Sequence, residues 1–480
     1  MDRKITHRTK LLYGVGAFGY GSIGQTISSF LMFFGTGILG IPGTLMGLAV
    51  GISTVWDATT DPFVGHWSDN TRSRTFGKRH GWILFAGVFV AVINIILWSI
   101  PVGISTAGKF WLLLVILLIM ETFNTCYSTP YGALGLDLSQ NYNDRTAVQN
   151  YKTAFSFLSL LVPSVLMMFL LKDARSVTGY ISIAGVTSSL CIICACICFA
   201  GTYRHRTMAS GVAGSPAETR KPRVACAHPR PSGVRVSAGE PATPLATEDR
   251  RGIFEEFFGV IRQKNVGRLI AGYAISLSAG AFLTSLGLHV FTYTFHFSTT
   301  QIPIIMMCLI AGIIAGQPFW FCVSRRTDKI TALVSALAML VVCMMVFACV
   351  LPFRNMVPHG STLAFVCVLI AACGIGTGCL YSLPISMYAD CIAVRKQETG
   401  VDNTGKSAGF LTFCTKISNA VILFVIGLSL DIIGFNGRHA TQSMNVQNWL
   451  GWLLICGVTI ASTVAMLVYS KYSYTKRDFE

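Results

Sequence analysis

Apolar residues gather into twelve runs, each on the order of 20 residues, the length a helix needs to cross the hydrocarbon of a bilayer. They fall near 11–36, 44–67, 81–101, 109–135, 147–171 and 178–201, then near 266–295, 300–323, 330–352, 360–389, 405–433 and 448–470. The stretch between the sixth and seventh runs holds Pro216, Pro222, Pro229, Pro231, Pro241 and Pro244 and almost no large apolar residues. Such a segment buries too little apolar surface to fold, so a largely disordered linker is expected over 203–262. Its end, GIFEEFFGVIRQKN from Gly252, spaces apolar residues helically and reads as a segment lying on the membrane surface. The pattern predicts an all-α polytopic membrane protein: twelve transmembrane helices in two six-helix halves, 1–202 and 263–480. A basic loop after the second run, Arg72 to Arg79, recurs after the eighth as Ser324 to Lys329. The halves therefore read as parallel repeats, with a binding site between them near the midplane.

Composition sharpens this reading. Of 480 residues 52% are hydrophobic and only 12% charged, with a mean hydropathy of +0.59, whereas soluble domains carry about 25% charged residues. The net charge of +16 would suit a nucleic-acid partner if it lay on one folded face, but the bases sit in short loops between apolar runs. They mark orientation instead. With both termini inside, Lys10, the Arg72–Arg79 loop, Arg145, the linker, Arg325, Arg326, Lys329, Arg395, Lys396 and Lys471 face the cytoplasm. Only Lys109, Lys172, Arg175, Arg354 and Arg438 remain outside. The expected location is the plasma (inner) membrane, with termini and linker cytoplasmic. The sixteen cysteines lie mostly in apolar runs and act as small hydrophobes. Cys191, Cys194, Cys196 and Cys198 spread around a helix with no histidine beside them, which favours packing over a metal site. No cleavable signal is evident, and the first span is expected to serve as an uncleaved one.

Candidate chemistry concentrates in the second run, which carries Asp57 and Asp61. Each intramembrane aspartate costs roughly 2.5 to 3.5 kcal/mol on an insertion scale. Four residues apart, both point to one face, and two full charges there repel by roughly 2 to 3 kcal/mol at an effective dielectric near 20. The pair calls for a proton or a metal cation between its members. A structural salt bridge, with Lys416 as partner, is the competing reading; one lysine does not neutralise two acids, and intramembrane ionisable groups are functional by default. Lys416 lies deep in its span and is expected to pair with these acids or with Glu121, a candidate coupling group one turn before Thr125. Asp390 reads as a helix-end residue near the cytoplasm, and His289 and His296 as hydrogen-bonded packing. Trp56, Tyr127 and Tyr381 are candidate stacking partners for a cargo ring.

Several motifs then carry a family resemblance: Tyr13–Gly19 (YGVGAFG), Trp56–Pro62 (WDATTDP) with its basic loop, Thr129–Gly135 (TPYGALG), Asn141–Lys152, Ser386–Asp390 and the helix segment ending at Lys416. Together they resemble the glycoside-pentoside-hexuronide:cation symporters, the melibiose-carrier-like branch of the major facilitator superfamily, over nearly the whole chain except the linker. The resemblance implies the major facilitator fold, alternating access, and no cofactor beyond a coupling H⁺ or Na⁺. It places the cation, a metal ion if sodium, on Asp57, Asp61, Thr60 and Thr125. Lys152 stands where a base near the start of helix five helps bind sugar. The cargo-contacting set is expected to be Lys152, Lys416, Ser128, Gly21, Tyr127 and Thr412.

Departures bear on cargo and ion. Acids that clamp sugar hydroxyls in galactoside carriers are replaced here by Gly21 and Ser128, and an asparagine ligand by Thr60, which moves the expectation toward protons. A pocket that loses acids and keeps Lys152 and Lys416 suits an anionic cargo, because a buried carboxylate requires a paired cation. A hexuronide or other acidic glycoside is thus expected over a neutral galactoside, with a lysolipid as the alternative cargo. An intramembrane Mg²⁺-dependent phosphotransferase would need further acids on the same helix, and none follows; a receptor or channel needs neither the repeat nor the acid pair. The expected partners are a small-molecule cargo, the cation and membrane lipid, with no nucleic acid, and the chain is expected to be a monomer.

Overall fold

The computed structural model describes residues 5–71, 73, 75–138, 142–205, 264–354, 356, 358–399, 404–437, 439 and 441–472. All regular elements among them are helical. The first half holds α1 (His7–Phe33), α2 (Gly43–Asn70), α3 (His80–Trp98), α4 (Thr106–Asp137), α5 (Tyr142–Ser159), α6 (Val162–Leu170) and α7 (Val177–Thr202). The second holds α8 (Lys264–His289), α9 (Gln301–Arg326), α10 (Lys329–Val350), α11 (His359–Leu380), α12 (Leu383–Thr399), α13 (Thr404–Ile432) and α14 (Met444–Tyr469). These make twelve spans in two sets of six, because α5 with α6, and α11 with α12, are each one span with a break. Most of the expected linker, and the surface segment from Gly252, lie outside the described residues.

The two breaks depart from the continuous runs expected from the sequence. Pro163 stands in the first turn of α6 and Pro384 in that of α12. A proline lacks the N–H that would continue the preceding helix and pushes the residue before it out of helical geometry. Pro62, Pro130 and Pro318 are instead accommodated inside α2, α4 and α9. Serine or threonine side chains cap several helices: Thr6 accepts from the Thr9 N–H, Ser105 from Gly108, Ser176 from Gly179 and Ser443 from Val446. The spans that open each half, α1 and α8, both run on into a short π-helical turn, Phe34–Ile38 and Val290–Thr294.

Ten spans are long and apolar enough to cross a membrane by length and composition. The other two, α1 and α2, are 27 and 28 residues long, enough for about 40 Å of helix, and it is α2 that carries the acid pair. Within the first half α1 packs on α5 and α7, α2 on α4, and α3 on α4 and α7; within the second, α9 packs on α11, and α14 on α8 and α10. Cys191, Cys194 and Cys198 are buried in α7 while Cys196 is exposed, so these thiols do point around the helix. Near the chain termini Arg79 binds Asp69 (2.5 Å), Asp137 (3.2 Å) and the Ser68 hydroxyl (2.9 Å), tying α2 and α4 at the start of α3.

The halves meet chiefly through α2 against α13 and α1 against α8. Gly43 and Gly47 let α2 approach closely: a Cβ at Gly47 would lie 2.6 Å from the Leu423 carbonyl. Hydrogen bonds between the halves, among the described residues, gather at the end of the bundle away from the termini. There Thr36 Oγ1 meets His289 Nε2 at 2.8 Å, Thr299 donates to the Lys172 carbonyl at 3.1 Å, and Arg175 donates to the Gly437 carbonyl. That end is closed.

Candidate functional site

Halfway along the α2–α13 contact, one lysine of the second half bridges both acids of the first. Lys416 Nζ lies 2.7 Å from Asp57 Oδ2 and 2.6 Å from Asp61 Oδ2. The remaining carboxylate oxygens are held from within the first half by α4: Thr125 donates to Asp57 Oδ1 at 2.7 Å and Thr129 to Asp61 Oδ1 at 3.4 Å. Two acids four residues apart on α2 thus face two hydroxyls four residues apart on α4, which matches the rows of neighbouring helices rung for rung. Thr60 donates to the Asp57 backbone carbonyl at 3.1 Å and lies 3.5 Å from the Thr125 hydroxyl. The acid side chains keep some exposure, 16% for Asp57 and 33% for Asp61, so the cluster is reachable from a water-filled space.

The charge balance refines the reading made from sequence. One lysine does serve both acids geometrically, so the salt bridge and the expected cation site fall at the same place. Two carboxylates and one ammonium still leave one unmatched negative charge, which a proton or a monovalent metal ion would neutralise. Carboxylate and hydroxyl oxygens are the ligands a hard cation takes.

The cluster opens on a cavity of about 780 Å³ between the halves. Its lining includes the polar residues Asp57, Glu121, Asn124, Gln149, Lys152 and Lys416. The same lining includes the apolar Met120, Phe157, Leu288, Met306, Leu309 and Ile313. Glu121 accepts from Asn124 at 3.1 Å, and no lysine or arginine among the described residues pairs with it. Lys152 likewise has no acid partner there; its Nζ lies 5.6 Å from the centre of the Tyr131 ring.

Other expected site residues are placed apart from this cavity. Tyr127 is fully buried, donates to the Gly16 carbonyl at 3.1 Å and stacks between Tyr20 and Tyr131, so its ring is core. At Gly21 a Cβ would meet the Ser159 hydroxyl at 2.6 Å, so this glycine marks the contact of α1 with α5. Ser128 is half-buried and Thr412 exposed; neither lines the cavity. Trp56 donates to Thr122 at 2.9 Å and is partly exposed outside the cavity lining, whereas Tyr381, at the break between α11 and α12, does line it. Asp390 binds Lys329 at 2.5 Å, and His289 is buried against Thr36. The sequence reading missed Thr129, although its four-residue spacing from Thr125 repeats that of the acids.

Comparison with known proteins agrees with this architecture. The family described as MFS/sugar transport protein matches residues 12–225 and 233–476. The sodium-dependent lysophosphatidylcholine symporter 1 of Gallus gallus is 24% identical over 483 residues, spanning 96% of this chain and 85% of the relative. An uncharacterised symporter of Synechocystis is 37% identical over 158 residues, 32% of this chain and 29% of the relative. Among solved structures, a bacterial homologue of the lysosomal transporter Spinster, inward-facing and unoccupied, superposes with a TM-score of 0.66 at 14% identity over 99% of this chain and 98% of its own. A D-xylose-proton symporter does so with a TM-score of 0.62 at 11% identity, over 95% and 96%.

Proposed function

We propose, from the premise that the chain belongs to the MFS/sugar transport protein family and is a secondary symporter of the major facilitator superfamily, that it carries a single-chain amphiphile with a charged head, of the lysophospholipid class, together with Na⁺. The observation that carries this reading is the mixed apolar and charged lining of the cavity. Its volume falls in the ordinary range of ligand pockets, about 300 to 1,000 Å³, and by itself would suit a glycoside equally. Three of its residues favour the lipid: Met306, Leu309 and Ile313, spaced along one face of α9, offer a sugar no hydrogen bond but suit an acyl chain, while Lys152 lines the same space with no acid partner among the described residues. An anionic head placed beside Lys152 gains a charged partner as it leaves water.

Ion and cargo share α2. A cation on the carboxylate and hydroxyl oxygens of Asp57, Asp61, Thr60, Thr125 and Thr129 competes with the Lys416 ammonium for Asp57 and Asp61. Freed from one or both acids, Lys416 loosens a tie between the halves, and the halves can rock about the bound cargo. Coupling is then reciprocal: the ion raises cargo affinity by the factor by which cargo raises ion affinity. With the termini and linker cytoplasmic, the closed end faces outward and this conformation releases cargo inward. The moving bodies on this reading are 1–202 and 263–480.

A second reading, a hexuronide or other acidic glycoside, is favoured by Asn124, Gln149 and Lys152 in the lining. Uptake into proteoliposomes under an imposed sodium gradient, compared with a proton gradient, decides between them. The first reading expects accumulation of a lysophosphatidylcholine probe and not of a glucuronide or melibiose. Sodium-driven accumulation of a glycoside, with no movement of the lysolipid, would overturn it.

A further inference from the structure

A second tie joins the same two helices some 21 Å from the first, taking 14 residues at about 1.5 Å each, and its chemistry is the reverse. At the closed end, Asp431 of α13 accepts from two backbone N–H groups of α2, Gly43 to Oδ1 at 2.6 Å and Thr44 to Oδ2 at 2.7 Å. The first N–H groups of a helix have no partner within it. The residue that should cap α2 is Pro42, which has no side-chain hydrogen bond to give. The cap of a first-half helix is therefore supplied in trans by the second half.

Asp431 is poorly placed for its own helix. It lies in the last turn of α13, which ends at Ile432, the end where the helix dipole disfavours a negative charge. It has no basic partner among the described residues to offset that cost. The same carboxylate is well placed for α2, whose positive end it meets. Just below it the backbones touch: a Cβ at Gly427 would collide with the Gly43 carbonyl, so the capping contact forms only when the halves are fully together.

We infer that Asp431 is a detachable helix cap, made only when the end of the bundle away from the termini is closed, and that it sets how often that end opens. The inference rests on the two halves alternating in access and not on the identity of the cargo. Unlike the Lys416 tie, this one contains no site at which a coupling cation competes, so its effect on opening is independent of sodium.

The test reads conformation, so that failure of the cargo reading leaves it intact. Gly103 and Gly360 lie at the closed end on opposite halves, and a side chain at either meets nothing within 4 Å. Spin labels at Gly103→Cys and Gly360→Cys, with the exposed native cysteines replaced, report the separation of the halves in the full chain. Asp431→Ala should raise the long-distance population relative to the short one by roughly tenfold, the size of effect a lost helix cap carries, to the same extent with and without sodium. Asp431→Glu, which keeps the charge, should restore most of the closed population. If the alanine variant does not fold, Asp431→Ser, which keeps a weak cap, should show a smaller shift in the same direction. A folded neutral variant with the parent's distance distribution, or a shift seen only in the presence of sodium, overturns the proposal.

Discussion

The second span of each half invites comparison, because α2 and α9 share a proline inside the helix and a basic loop after it, and yet differ in charge. The residue before Pro62 is Asp61, and five before it stands Asp57. The residue before Pro318 is Gln317, and five before it stands Ile313, which is buried. Gln317 spends its amide on the Gly378 carbonyl of α11, at 2.8 Å, within its own half. Asp57 and Asp61 instead reach across to Lys416. The repeat supplies the frame twice, whereas the charged cluster is split: acids on one half, the base on the other. An ion that binds the acids therefore acts directly on the contact between the halves.

The largest expected effect comes from removing that asymmetry. Asp57→Asn or Asp61→Asn leaves Lys416 with one acid, a neutral cluster with no charge left for a cation. Sodium-driven accumulation should then fall to background in a gradient-uptake assay, while cargo exchange persists in part; undiminished uphill uptake by both variants would remove the acids from coupling. Lys416→Leu comes next. It leaves two unpaired acids that repel by roughly 2 to 3 kcal/mol at an effective dielectric near 20, so transport should drop by about a hundredfold and recover in part when Asp61→Asn is added. Unchanged transport by the single variant would show that the ammonium is not a competitor of the ion.

Smaller effects grade the two rungs from α4. Thr125→Val should raise the half-saturating sodium concentration by about tenfold, since a hydrogen bond to a charged group is worth about 1.5 to 3 kcal/mol. Thr129→Val, whose bond is 3.4 Å against 2.7 Å, should raise it by about threefold; the opposite order would show that the cation sits beside Asp61 and takes Thr129 as a direct ligand. Smallest of all, Gln317→Leu should leave the sodium dependence of transport as it was and lower thermal stability by only about 1 kcal/mol. A changed sodium dependence there would mean that α9 shares the coupling role of α2.

Much of this was legible before any coordinates. Twelve apolar runs fix the span count because a bilayer demands length and apolarity in a form that a window along the chain detects. The Asp57–Asp61 spacing and the isolation of Lys416 in apolar sequence marked the groups that the structure brings together. Side-chain direction was harder to read. Tyr127 was expected at the cargo, but it stands two residues after Thr125, about 200° around the helix, and residues so spaced do not share a face. Gly21 looked like a lost sugar ligand because the sequence does not display Ser159 packed against it. The helix breaks at Leu160–Leu161 and Tyr381–Ser382 were signalled by Pro163 and Pro384, yet Pro62, Pro130 and Pro318 stay within their helices, so proline alone did not say which spans break.

On the proposed coupling, Lys416 is a competitor of the ion that cannot diffuse away. A free ion contends with it at whatever concentration the solution offers, but the ammonium is presented to the acids at an effective concentration fixed by how near α13 stands to α2. Ion affinity would then not be one constant: it would be weakest with the two helices pressed together and strengthen as they part. Titrating sodium against the chain locked in each conformation would measure the distance between two helices in units of salt.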